Sequence, residues 1–244
     1  MTLYTYGDSF TAGDGTRRPL LNKNNKPMRV PNPNRRKFWV DEVARKYSIL
    51  NIDNRGAGGL SDDGIFYKLL ADLKKFKRGD IILYSLGFPE RTDFILKEPT
   101  RELLDPSKEK AGIEGAPLFC VTTSTPNEDT FTHFKRAIQE SNFEENMPFC
   151  YSDDLLVAMI NYNSNYKTKN SELLTATNKF RAKLVLDYLK TKGVNSLIWD
   201  LPPQVYKYEN ISKATKGKID DHHWSWEGCY QFSKWMIKQI NKVI

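Results

Sequence analysis

Histidine is scarce in this 244-residue chain: there are three, and two of them stand side by side as His222 and His223. Cysteine is equally rare. Cys120, Cys150 and Cys229 cannot all pair, and none lies in a metal-type spacing. They read as ordinary buried or half-buried thiols. With no cysteine pair and no third convergent histidine, no metal site is expected. No apolar run reaches the ~18 residues of a membrane span. Met1-Thr2-Leu3-Tyr4 lacks the basic flank and apolar core of a secretory signal, so a cytoplasmic location is the expectation. Low-complexity tracts, internal repeats and clear linkers are missing too. A hydrophobic fraction of 39% with 12% aromatics excludes a disordered chain. The net charge of +7 permits an anionic partner such as nucleic acid, an acidic glycan or a membrane surface. The lysines are scattered and form no long block, which favours a solvated basic surface over a nucleic-acid site. Length alone sets no oligomeric state.

What is present is an alternation of strand-like and helix-like segments. Thr2–Tyr6 predicts a first strand and Asp14–Lys37 a long surface loop. Phe38–Tyr47 has apolar residues at helical spacing. Ser48–Asp53 predicts a second strand, running into Asn54-Arg55-Gly56-Ala57-Gly58-Gly59. Ser61-Asp62-Asp63-Gly64 opens a helix carrying Ile65, Leu69, Leu70 and Leu73. Ile81–Ser85 predicts a third strand and Pro117–Thr123 a fourth. Glu128–Asn142, Ser152–Asn163 and Glu172–Lys192 read as helices, Ser196–Leu201 as the last strand, and Trp226–Val243 as an amphipathic terminal helix. Strands separated by helices predict an α/β fold of parallel βαβ units with right-handed crossovers. The economical organisation is one domain over residues 1–244, with a large insertion at about 92–170 before the last strand. The aromatics of that insertion, Tyr162 and Tyr166 among them, are expected to be mostly core.

Three segments can carry chemistry. Gly7-Asp8-Ser9 follows the first strand directly, so the Ser9 hydroxyl and amide can face a ligand while Asp8 fixes the turn through its backbone. Asn54-x-Gly56-x-x-Gly59 follows the second strand, and its free amides suit a developing oxyanion. Asp220-x-x-His223 precedes the terminal helix. A carboxylate three residues before a histidine reaches Nδ1 and leaves Nε2 to face a serine. His222 is the rival base and Asp221 the rival acid. Only one of the two neighbouring histidines is expected to face the pocket. Trp224 and Trp226 flank this base, one expected behind it and one beside the cleft.

Together these segments resemble the SGNH (GDSL-type) hydrolase superfamily, with the middle of the chain unmatched. The resemblance implies a flavodoxin-like three-layer α/β/α sandwich and hydrolysis of acyl esters without a cofactor. It puts Ser9 in the nucleophile's place, Gly59 in the second block, and Asp220, His223 and Gly228 in the last. That register selects His223 over His222. The third block, Gly-x-Asn-Asp, departs: Gly87-Phe88-Pro89-Glu90 puts Pro89 where the oxyanion-binding Asn belongs. The Ser9 and Gly59 amides then remain, with Arg91 or Ser85 as substitutes. Losing one such donor costs about 100- to 1000-fold in rate. Arg91 reads equally as a bidentate holder of an acidic substrate or as a salt-bridge residue. The expected function is a serine esterase with a Ser9–His223–Asp220 triad, acting on a small-molecule or carbohydrate ester such as an O-acetylated sugar. The alternatives are acyl transfer by the same triad, and a non-catalytic module binding an anionic glycan or nucleic acid.

Overall fold

The computed structural model describes residues 1–13, 20–21, 27–28, 38–56, 60–89, 91–95, 118–121, 158, 162–167, 169–217 and 222–244. Strand β1 (Thr2–Tyr6) leads into a short helix, α1 (Ser9–Ala12). Within the predicted loop, β2 (Leu20–Leu21) and β3 (Pro27–Met28) pair antiparallel. Helix α2 (Trp39–Lys46), strand β4 (Asn51–Asn54), helix α3 (Asp62–Ala71) and strand β5 (Ile81–Leu86) follow. Strands β6 (Thr92–Ile95) and β7 (Leu118–Val121) come next, and then a π-helical turn at Tyr162–Lys167. Helix α4 (Ser171–Thr191) and strand β8 (Asn195–Asp200) are succeeded by short helices α5 (Pro202–Val205) and α6 (Ile211–Ala214). Helix α7 (Trp226–Ile240) closes the chain.

The main sheet is parallel, in the order β4-β1-β5-β8. Side chains alternate between its faces with period two. Leu3, Ile81 and Leu83 pack on one face with Trp39 and Val43 of α2 and with Phe232 and Met236 of α7. Tyr4, Tyr6, Ile82, Tyr84 and Leu86 pack on the other with Ile65 and Leu69 of α3 and with Ala182 and Leu186 of α4. This is the expected α/β three-layer sandwich.

Several expectations need correction. The predicted fourth strand is real as β7, but it pairs antiparallel with β6 in a separate two-stranded sheet; β8 is the fourth strand of the parallel sheet. Periodicity identifies a strand but not its partner. Tyr162 and Tyr166 are not core: they are 50% and 48% exposed and stack on each other at 5.1 Å. The predicted helix at 128–142 lies outside the described residues, as does most of 152–163.

A cleft at the carboxyl edge of the sheet

Ser9 and His223, separated by almost the whole sequence, line one cleft of about 450 Å³ together with Phe10, Phe88, Arg91, Val205, Tyr206 and His222. The topology explains the meeting. In parallel sheets the carboxyl ends of strands share one edge, and ligand crevices form there. Ser9 follows β1, Phe88 and Arg91 follow β5, and Val205 and Tyr206 follow β8.

The Gly7-Asp8-Ser9 turn is held by a local cap and by hydrogen bonds from distant parts of the chain. Asp8 is the N-cap of α1, and its Oδ1 accepts from Phe10 N at 3.0 Å. Asn54, the asparagine of the second motif, donates from Nδ2 to Thr11 O at 2.7 Å, while its Oδ1 accepts from Gly56 N at 3.0 Å. Gly56 then runs against α1 so closely that a Cβ there would lie 2.4 Å from Ala12 N. The indole of Trp39 fixes Phe10 by donating to its carbonyl at 3.1 Å.

The turn carrying His223 is tied to the segment that follows β8. Ile211 N donates to His223 O at 2.9 Å, and Asn210 and Trp224 form an antiparallel bridge. The His223 ring packs on Phe10, next to Ser9, with centroids 4.8 Å apart. Trp224 is buried behind, 4.9 Å from Phe10, and its Nε1 donates to Val205 O at 3.2 Å. Ser225 caps α7 by accepting from Gly228 N at 3.2 Å.

Arg91 joins the two strand exits. Its Nη1 lies 2.8 Å from Asp8 Oδ2 and donates to Leu60 O at 3.3 Å, with the guanidinium 4.4 Å above the Phe88 ring. Asp8 is fully buried and the Arg91 side chain is 15% exposed. Lys167, itself buried, donates from Nζ to Arg91 O at 2.7 Å. Farther back, Asp62 accepts from Gly87 N at 2.6 Å and from Asn178 Nδ2 at 2.7 Å. Burial raises the Asp62 pKa, and these two hydrogen bonds only partly oppose that. The Tyr6 hydroxyl, which donates to Asp72 Oδ2 at 2.8 Å, is also pushed up by burial.

Of the predicted site residues, the cleft brings Ser9, His223 and Arg91 together. Asp220, Asp221 and Gly59 lie outside the described residues. Both histidines line the cleft, contrary to the expectation of one. His222 leans on exposed Tyr206, with centroids 6.2 Å apart. Ser85 is fully buried and donates to Leu86 O at 3.3 Å, so it is no substitute donor in the cleft. Pro89 is buried, as a proline in place of the polar Asn readily is. Trp226 does not border the cleft; Tyr206 and Phe88 supply its aromatic walls. The signal for Tyr206 was its place just after Pro202-Pro203, at the carboxyl end of the last strand.

No family model matches the chain, and no curated protein sequence matches it. Among solved structures, a protein of the G-D-S-L family described as lipolytic, from Desulfitobacterium hafniense, is 13% identical over 97% of this chain and 98% of its own, with a TM-score of 0.34. A member of the lipolytic G-D-S-L family from Veillonella parvula is 14% identical over 100% of both chains, with a TM-score of 0.36. An acetyl xylan esterase from Geobacillus stearothermophilus is 14% identical over 100% of this chain and 95% of its own, with a TM-score of 0.35. The chemistry rests on this chain's own residues.

Proposed function

We propose that the protein is a serine hydrolase acting on an acyl ester. The observation that carries this is the shared cleft: Ser9 enters it from the exit of β1 and His223 from the turn before α7. Ser9 Oγ attacks the ester carbonyl while His223 takes its proton. Asp220 holds the imidazole. The tetrahedral oxyanion is met by the amides of Ser9 and Gly59 and by the guanidinium of Arg91, whose hold on Asp8 pre-organises it. The intermediate collapses, the C–O bond to the alcohol breaks, and His223 returns the proton to the leaving oxygen. Water then attacks the acyl-enzyme as His223 takes a proton from the water, the second intermediate collapses with cleavage of the bond to Ser9 Oγ and release of the acid, and His223 returns the proton to Ser9. The aromatic walls Phe88 and Tyr206 suit a ring-bearing alcohol, an O-acetylated carbohydrate being the first substrate to try.

Ser9→Ala is expected to abolish p-nitrophenyl acetate turnover while circular dichroism and melting stay unchanged. Equal turnover in the variant would exclude the mechanism. One observation favours a second reading. Buried Pro89 removes the Asn donor, so a weakly active or non-catalytic binding module remains the alternative. Its non-catalytic form predicts unchanged ligand binding, and no loss of function, in Ser9→Ala.

A further inference from the structure

Helix α4 is apolar on two opposite sides. Ala182, Leu186 and Leu189 face the sheet and are buried. On the far side, Leu173, Phe180, Leu184 and Tyr188 are 64%, 62%, 57% and 57% exposed. At 100° per residue these four fall within one narrow stripe. It extends roughly 22 Å along the axis, from position 173 to 188. A surface helix on a globular domain ordinarily has one apolar face, and it points inward. A second apolar stripe outside, interrupted at Thr177, marks a surface that meets something apolar.

The charges beside the stripe select the occupant. Lys179, Lys183 and Lys190 run along one flank, and each side chain is half-exposed or more. Arg181 and Lys192 lie on the other flank, with Lys192 Nζ 5.4 Å from the centre of the Tyr188 ring. Acidic groups answer these only in part: Lys183 and Lys190 share Asp187, Lys179 reaches Asp200, Arg181 reaches Asp63, and exposed Glu172 lies on the lysine flank, which leaves five basic against two acidic side chains on the helix's outer half. A second copy gains no net attraction from these charges: an antiparallel pairing that brings Leu173 onto the partner copy's Tyr188 sets Lys179 beside the partner copy's Lys183 and Glu172 beside the partner copy's Lys190. Nucleic acid would use the lysines but not the aliphatic stripe. Apolar side chains framed by lysines match the interface of an anionic bilayer, where lysine stems cover apolar surface and their heads reach phosphates.

We propose that the outward face of α4 is a docking surface for an anionic lipid membrane. Leu173, Phe180, Leu184 and Tyr188 enter the headgroup boundary, and Lys179, Lys183, Lys190 and Lys192 contact lipid phosphates. Among the described residues no helix is long and apolar enough to cross a membrane, so this contact is peripheral. It is independent of the hydrolase reading.

The test is co-sedimentation of the full chain with vesicles of phosphatidylcholine alone and of phosphatidylcholine mixed with phosphatidylglycerol, at low and high salt. Binding to the mixed vesicles, weakened by salt, with little to phosphatidylcholine alone, is expected. The double variant Phe180→Ser, Leu184→Ser should lose at least about tenfold in vesicle affinity with its fold and any esterase activity retained. The pair Lys183→Gln, Lys190→Gln, which leaves the apolar stripe intact, should lose mainly the salt-sensitive part. No binding to the mixed vesicles, or equal binding by the serine double variant, would overturn the proposal. So would a dimer by light scattering that the serine double variant converts to monomer, because the face would then belong to a second copy.

Discussion

Asp8 has no access to solvent, and its two oxygens are divided between Phe10 N and Arg91 Nη1. Removing the guanidinium leaves that carboxylate buried without its cation. Arg91→Ala should therefore cost about 3–5 kcal/mol in urea unfolding, with Arg91→Lys costing less. A variant as stable as the parent would show that the pair is dispensable. Asp62 poses the opposite case. Its folded pKa is raised by burial, so the native state binds its proton more tightly than the unfolded chain does. The stability tied to that proton is fully present below the unfolded carboxylate pKa and is lost as pH rises through the folded one. Asp62→Asn should flatten this fall in a pH series of denaturant midpoints. A parallel fall in the variant would assign it elsewhere. Ser9 and His223 were legible because strand-then-turn placement and scarcity single them out. The partner of Arg91 was not, since Asp8 lies 83 positions away. Asp62 carried no signal either: its partners Gly87 and Asn178 are 25 and 116 positions distant.

Helix α7 begins against the backbone of the segment after β8, and Gly228 makes this possible. A Cβ at Gly228 would lie 2.0 Å from Glu209 O, the carbonyl that also accepts from Ser225 N at 3.0 Å. Backbone cannot rotate aside as a side chain can. Gly228→Ala should destabilise by about 1–3 kcal/mol and displace the turn that carries His223, lowering ester turnover more than Ser9 accessibility. Unchanged melting would refute the close approach. The elements of the parallel sheet were legible to within a few residues, because β1 and β5 are rich in strand-favouring residues and β8 carries Leu197-Ile198-Trp199, each bounded by turn residues. The β6–β7 pairing was not legible, because the apolar run in Pro117–Thr123 says nothing of antiparallel pairing to Thr92–Ile95. Strand β4 sits at the edge of the sheet with Ile52 37% exposed, so its burial pattern is weaker than its sequence suggests.

Across the whole molecule, the strand order β4-β1-β5-β8 places the first strand in the interior of the sheet, between β4 and β5. That order turns three distant chain segments into neighbours at one edge and gives the cleft its serine, arginine and histidines. The account therefore depends on whether the cleft activates Ser9. Reaction with a fluorophosphonate probe, followed by peptide mass spectrometry, measures this directly. The account predicts a single rapid adduct on Ser9 in the parent chain and a rate lower by about 10⁴-fold in His223→Ala. It also predicts a much smaller loss in His222→Ala. An unlabelled Ser9 in the folded parent, or labelling indifferent to His223, would contradict it.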